Sequence, residues 1–204
     1  MDPIKPSCTE AGQDFFQYSL QITRSHEISK SLDRLQRNRL NVNLVCFLIW
    51  YAHRAHGRVK KKQFIKLTEV VFAWNEEVVE ELSRLQSMIA LHQHEKMSTI
   101  RSWLHDEVDI AQQMERCLLL EAVPPMQSYR KTDHQQMVDA CYNLVNYCKC
   151  AKVFLTDASV ADYVSVLRAV FTDFAESLIQ RELIEHVAKA KVKCEISRSL
   201  QLSF

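Results

Sequence analysis

Glycine and proline are scarce in this sequence, which has two glycines and four prolines among its 204 residues. Sheet proteins need glycine in their hairpin turns, so this scarcity favours long helices joined by short loops. The two glycines, Gly12 and Gly57, stand far apart, which argues against a glycine-rich phosphate-binding loop. No apolar run approaches the roughly 20 residues of a membrane-spanning helix, so no membrane partner is expected. The expected fold class is all-α.

The longest apolar run consists of the nine residues Leu44–Ala52. An amphipathic helix has a single apolar stripe, whereas this run is apolar on every side, so other helices must surround it. We therefore predict a bundle of six to eight helices around a buried central helix at residues 44–54. Asn41 or Asn43 can cap the start of this helix. Both asparagines are equally candidates for lining a pocket beside the helix, and the sequence leaves the two roles open.

The last part of the chain shows one continuous helical pattern. No glycine or proline interrupts residues 159–192, so we predict a single long C-terminal helix there. The expected organisation is a flexible lead-in at residues 1–10, a helical domain at 11–172 and a C-terminal helical extension at 173–204.

The extension carries an apolar stripe that needs to be covered, because exposed patches of that size are uncommon on monomers. The stripe can fold back on the bundle, dock onto a second copy or hold a partner, and we favour a homodimer. The predicted interface consists of Phe174, Leu178, Leu183 and Val187.

Charge is distributed unevenly, although the net charge is only +1. Residues 1–66 carry twelve Lys and Arg against five Asp and Glu, and residues 67–139 carry six against thirteen. Such an asymmetry marks a binding face, or it neutralises itself when the segments pack together. The candidate binding surface, called the basic patch below, consists of Arg34, Arg37, Arg39, Arg54, Arg58, Lys60, Lys61 and Lys62. We expect weak, sequence-independent nucleic-acid binding at most, since the neighbouring aromatic side chains are predicted to be buried.

Seven cysteines are an odd number, which does not suit a secreted disulfide framework. The first residues lack the apolar core of a signal peptide, so we expect a reduced, cytoplasmic protein.

His53 and His56 have the spacing of metal ligands, but no second pair follows at a matching helical spacing. Glu107, Asp109 and Glu115 are interpreted as a solvated helix face. We therefore predict no cofactor, no metal and no catalytic residue.

Several blocks of the sequence resemble a known family. The blocks are Phe15-Phe16-x-Tyr18-Ser19-Leu20, Leu40-Asn41-Val42-Asn43-Leu44, Phe47-x-x-Trp50 and the weaker Asn143-Leu144-x-x-Tyr147. They resemble a bacterial family of conserved hypothetical proteins, domain of unknown function 2390, over about residues 14–172. At residues 23–26, Thr-Arg-Ser-His stands where the family usually has a Pro-Gly step. The resemblance implies a helical fold and a bacterial cytoplasmic setting, and it transfers no mechanism.

Three functions stay open at the level of the sequence. The leading hypothesis is a non-catalytic adaptor or regulator of protein–protein interactions that acts through its helix faces. The second is a nucleic-acid-associated or ribosome-associated protein that uses the basic patch. The third is an enzyme or a small-molecule binder with a pocket beside the central helix.

Overall fold

The computed structural model describes residues 10–91, 97–125, 127–192 and 194–195, so the predicted lead-in falls outside it apart from Glu10. Within these ranges the chain is helical, which confirms the all-α prediction. The helices are α1 (Glu10–Thr23), α2 (His26–Arg37), α3 (Val42–His53), α4 (Lys61–Trp74), α5 (Glu80–Ala90), α6 (Met97–Ala122), α7 (Asp133–Cys150), α8 (Asp157–Val170) and α9 (Glu176–Ala190). Two-residue strands, β1 (Leu155–Thr156) and β2 (Cys194–Glu195), form a short parallel pair.

The predicted central helix is α3. All nine residues of Leu44–Ala52 are buried, none with more than 1% of its surface exposed. Helices α1, α2, α6 and α7 pack around them, which explains why this segment needs no polar face. Asn41 begins the helix, because its side-chain oxygen accepts a hydrogen bond from the backbone N–H of Leu44 at 2.8 Å. The prediction of a buried central helix with an asparagine cap is confirmed.

A five-residue π-helix, Asn75–Val79, joins α4 to α5 without a break. Asn75 lies inside the continuous helix, because it has helical backbone angles, with φ −66° and ψ −48°. Segments of this kind occur as single turns inside longer helices and widen the helix locally. The indole N–H of Trp74 donates to the backbone carbonyl of Ala111 at 2.9 Å, so the start of the π-helix is tied to α6.

The prediction of one long C-terminal helix over residues 159–192 is wrong. Helix α8 ends at Val170, and the backbone at Phe171 leaves the helical region, with φ −100° and ψ 67°. Thr172 and Asp173 follow in a turn, where short polar side chains compete with helical hydrogen bonding. Helix α9 then packs against α7 and α8.

The predicted interface on the C-terminal stripe is covered by the chain itself. Leu183 and Val187 are 2% and 3% exposed, and Phe174 and Leu178 are partly buried against the same core. The stripe therefore folds back onto the bundle, and it does not require a second copy. A homodimer stays a prediction that has lost this supporting argument.

Candidate functional site

The start of α3 faces a buried carboxylate on α6. Glu115 is 1% exposed, and each of its two oxygens accepts a hydrogen bond from a side-chain amide. Nδ2 of Asn41 donates at 2.8 Å and Nδ2 of Asn43 donates at 2.5 Å. The backbone N–H of Asn41 also donates to the hydroxyl of Tyr147 at 2.9 Å, so α7 holds the same end of α3. The two predicted asparagines thus meet in one site, where Asn41 is both helix cap and partner of Glu115.

Arg116 lies on the other side of Asn43. Its Nη1 donates to the side-chain oxygen of Asn43 at 3.0 Å, and its guanidinium lies over the ring of Phe16 at 5.1 Å from the ring centroid. Asparagine carries both a donor and an acceptor, so Asn43 can bind an acid with one end and a base with the other. Asn43 therefore separates Glu115 from Arg116.

Burial determines the electrostatics of this cluster. Burial raises the pKa of Glu115, because the charged carboxylate loses water, and the hydrogen bonds from Asn43 and Asn41 offset part of that effect. Burial likewise lowers the pKa of Arg116, although a guanidinium stays protonated in proteins. The site holds two desolvated charges with an amide between them. Clefts that bind ligands are common places for such perturbed groups.

Two clefts flank Asn43. One, of about 140 Å³, lies between α2, α3, the π-helix and α6, and Glu115 forms part of its wall. The other, of about 460 Å³, lies between α1, α3 and α6, and Arg116 forms part of its wall. Asn43 and Gln112 border both. The larger cleft falls within the usual range for small-molecule sites, about 300–1,000 Å³.

Three arginines of the basic patch are engaged in ion pairs with carboxylates of the bundle. The pairs are Arg34 with Asp162 at 2.5 Å, Arg54 with Asp14 at 2.5 Å and Arg58 with Asp139 at 2.6 Å. Each pair joins two different parts of the fold, and Asp139 also binds Lys131. These arginines therefore connect parts of the bundle, and the paired carboxylates partly neutralise their positive charge.

The other five cations of the basic patch are exposed and make no ion pair with any residue of the described ranges. They are Arg37, Arg39, Lys60, Lys61 and Lys62. The basic patch stays a prediction, and its available charge is smaller than the sequence suggested.

Exposed apolar surface concentrates on a helical arm, defined here as the π-helix, α5 with Leu91 directly after it, and the part of α6 up to Ile110. Helix α5 has no buried residue, and it packs chiefly on α6 and on the π-helix. Eleven large hydrophobic side chains are exposed in the described chain, and six of them belong to the arm. The six are Leu85, Met88, Leu91, Ile100, Trp103 and Ile110.

Neither a metal-binding cluster nor a helix suited to span a membrane occurs in the described part of the chain. There, no group of three or more His, Cys, Asp and Glu side chains is placed to hold a metal ion. Cys141 and Cys148 are buried core thiols on α7. Among the helices seen in these ranges, none combines the length and the apolar character needed to cross a bilayer.

The sequence interpretation missed Glu115 and Arg116. Glu115 was assigned to a solvated helix face, yet it is as buried as the core around it. The signal was its position: Ala111, Glu115 and Leu119 follow one another at intervals of four residues and all are buried. A carboxylate at a core position of a helix was therefore available as a sequence signal.

One comparison with known proteins gives a match. The family model described as Protein of unknown function (DUF2390) matches residues 14–121, which contain Asn41, Asn43, Glu115 and Arg116. No curated protein and no solved structure matches the chain. The later block at residues 143–147 lies beyond the matched range. Because the match spans more than half of the 204 residues, the chain belongs to the DUF2390 family of proteins of unknown function.

Proposed function

We propose that this protein is a non-catalytic adaptor or regulator that binds a partner protein on the arm. The observation that supports this proposal is the exposed apolar surface of the arm. Trp103 is 57% exposed, Met88 is 53% exposed and Leu91 is 83% exposed. Exposed apolar patches on folded domains mark interaction sites, because water disfavours them unless another surface covers them.

The charges of the arm define the chemistry of the partner. Its carboxylates outnumber its two arginines, and they are Glu76, Glu77, Glu80, Glu81, Asp106, Glu107 and Asp109. Apolar anchors among carboxylates suit an amphipathic helix whose apolar face is flanked by Lys and Arg. A second copy of the chain suits this surface less well, because pairing arm with arm opposes groups of like charge.

We therefore propose that the partner presents a basic amphipathic helix. The setting we propose is a reducing cytoplasm, which the odd number of cysteines supports. The cleft of about 460 Å³ beside Asn43 favours a second activity, small-molecule binding.

Site-specific photo-crosslinking in the native host tests the proposal. A photoreactive phenylalanine analogue replaces Trp103 in one variant and Phe154 in a matched control. Phe154 is 48% exposed but lies outside the arm, so it reports non-specific contact. The expected result is a cross-link from position 103, and not from 154, to a protein segment with apolar residues flanked by Lys and Arg.

The cross-linked protein is then purified, and its affinity is measured by titration calorimetry. Buried aromatic anchors commonly dominate an interface, so Trp103→Ser is expected to weaken binding by about thirtyfold. Phe154→Ser should bind like the wild type, and added salt should weaken binding because it screens the carboxylates. Unchanged affinity of Trp103→Ser would contradict the proposal, as would cross-linking of the arm to a second copy of this chain.

A further inference from the structure

The cleft of about 460 Å³ between α1, α3 and α6 has walls of two kinds. One part is apolar and the other carries amide groups and a guanidinium. The apolar residues are Phe16, Leu20 and Val42, and the polar ones include Asn43, Gln112, Gln113 and Arg116. Small-molecule sites combine an apolar wall with convergent polar groups, and this cleft offers both.

Arg116 is a partly buried cation that makes no ion pair with a carboxylate of the described residues. Arg34, Arg54 and Arg58 each bind one, although 51%, 44% and 48% of their side-chain surface is exposed. Arg116 is less exposed than these three, yet within the described ranges no carboxylate oxygen lies within 4.0 Å of it. Its Nε is buried and has no hydrogen-bond partner there. A desolvated charge without a counter-ion is unfavourable, so the arrangement favours an anion supplied from outside.

Glu115 is the nearest acid along the chain, but the fold prevents it from filling this role. Each of its oxygens accepts a hydrogen bond from Asn41 or Asn43, and neither oxygen lies within 4.0 Å of a guanidinium nitrogen of Arg116. Asn43 in turn presents its oxygen to Arg116 and holds the two charges apart. A guanidinium has five N–H donors, and the bond to Asn43 uses one of them.

We propose that this cleft binds a small organic carboxylate and that Arg116 holds the carboxylate group. The planar guanidinium matches a carboxylate in shape and charge, and it can donate two parallel hydrogen bonds to it. The apolar wall of Phe16, Leu20 and Val42 then contacts the rest of the molecule. A doubly charged phosphate suits the cleft less well, because the Asp109 carboxylate also borders it and repels additional negative charge.

Nuclear magnetic resonance of the full chain with ¹⁵N-labelled arginine tests this site directly. The Nε–Hε signal of Arg116 is assigned by comparison with Arg116→Lys, and benzoate is titrated as the probe. Saturable movement of that signal, with the signal of Arg101 unmoved, is the expected result. Arg101 is the internal control because it lies on the same helix and is partly buried, and its Nε donates to the backbone carbonyl of Met97.

Calorimetry then compares benzoate binding to the wild type, Arg116→Gln and Arg101→Gln, after circular dichroism has shown that each variant is folded. The loss of a charge-assisted hydrogen bond should weaken binding to Arg116→Gln by about tenfold or more, and Arg101→Gln should bind normally. Arg116→Lys keeps the charge without the planar fork, so its affinity for benzoate should be lower than that of the wild type. This variant replaces Arg116→Gln if Arg116→Gln fails to fold. The proposal is overturned if benzoate leaves the Arg116 signal unmoved, or if inorganic phosphate moves it and benzoate does not.

Discussion

The two ends of α3 hold an acid and a base in opposite ways. At its C-terminal end, Asp14 and Arg54 are in direct contact at 2.5 Å, and their side chains are 39% and 44% exposed. At its start, Glu115 and Arg116 are largely buried and Asn43 separates them. Direct pairs between exposed groups add little stability and serve mainly to fix geometry. A separated pair is less favourable for the free protein, and it leaves charge available to a ligand.

The largest expected effect concerns the end of α3, where apolar packing dominates. Trp50 is 1% exposed, its ring lies 5.2 Å from that of Phe15, and its indole N–H donates to Asp14 at 2.7 Å. Trp50→Ala should lower the free energy of unfolding by about 3–5 kcal/mol, because it leaves a large cavity in the core. Urea unfolding measures the change. A loss below about 1 kcal/mol would show that this end of α3 is not part of the core.

At the start of α3, the expected effect comes from unpaired polar groups. Glu115→Ala removes the carboxylate that accepts from both Asn41 and Asn43. It leaves Nδ2 of Asn41 without that acceptor, and it leaves Nδ2 of Asn43 with only the backbone carbonyl of Gln112 at 3.5 Å. The variant should therefore lose about 2–3 kcal/mol of unfolding free energy. Glu121→Ala, on the exposed face of the same helix, is the control and should change it by less than about 0.5 kcal/mol. Equal losses in the two variants would remove the special role of Glu115.

The contributions of Glu115 and Asp14 to the free energy of unfolding should change with pH in opposite directions. Burial raises the pKa of Glu115 in the folded state, so its contribution to stability is complete below the unfolded value near 4.5 and is lost as the pH rises through the folded pKa. The wild type should therefore lose stability relative to Glu115→Gln between about pH 4 and pH 7. Thermal unfolding of both proteins across this range measures the difference. A difference that does not change with pH would contradict the assigned environment of Glu115.

The smallest effect is expected for Asp14. Burial tends to raise its pKa, but hydrogen bonds from Arg54 and Trp50 outweigh burial and lower it below the usual 3.8. Its contribution to stability is therefore present above pH 3.8 and is lost as the pH falls through the lowered pKa. Asp14→Asn should cost less than about 1 kcal/mol at neutral pH, because the pair with Arg54 is well hydrated. The two proteins should converge in acid, and a larger gap there than at neutral pH would refute this account.

The sequence predicted the fold well where the signal was local. The continuous apolar run Leu44–Ala52 identified α3, because nine neighbouring residues carry that signal by themselves. The break after Val170 carries no glycine or proline, so helical periodicity alone ran through it. Recognising the turn required weighing Thr172 and Asp173 against the apolar residues around them.

The candidate site was predicted only in part, because its members meet through long-range contacts. Asn41 and Asn43 stood out as polar residues beside an apolar run. Their partner Glu115 is more than 70 positions away along the chain, and only the tertiary fold brings it to the start of α3. The same holds for Asp162, which neutralises Arg34 from 128 positions away. A charge pattern read along the chain could not reveal which cations of the basic patch are already paired.

The π-helix at Asn75–Val79 separates the helical phase of α4 from that of α5. A regular α-helix fixes the direction of every side chain relative to those before it, since each residue advances by about 100°. A wider turn resets this angle, so α4 can direct Phe64, Leu67 and Val71 into the bundle while α5 turns its own face toward α6. The directions of the α5 side chains are consequently set independently of the core-facing side chains of α4. Substitutions in α5 can therefore change its surface while α4 keeps its place in the core. The arm is thereby the part of this fold in which new surfaces can evolve while the bundle keeps its packing.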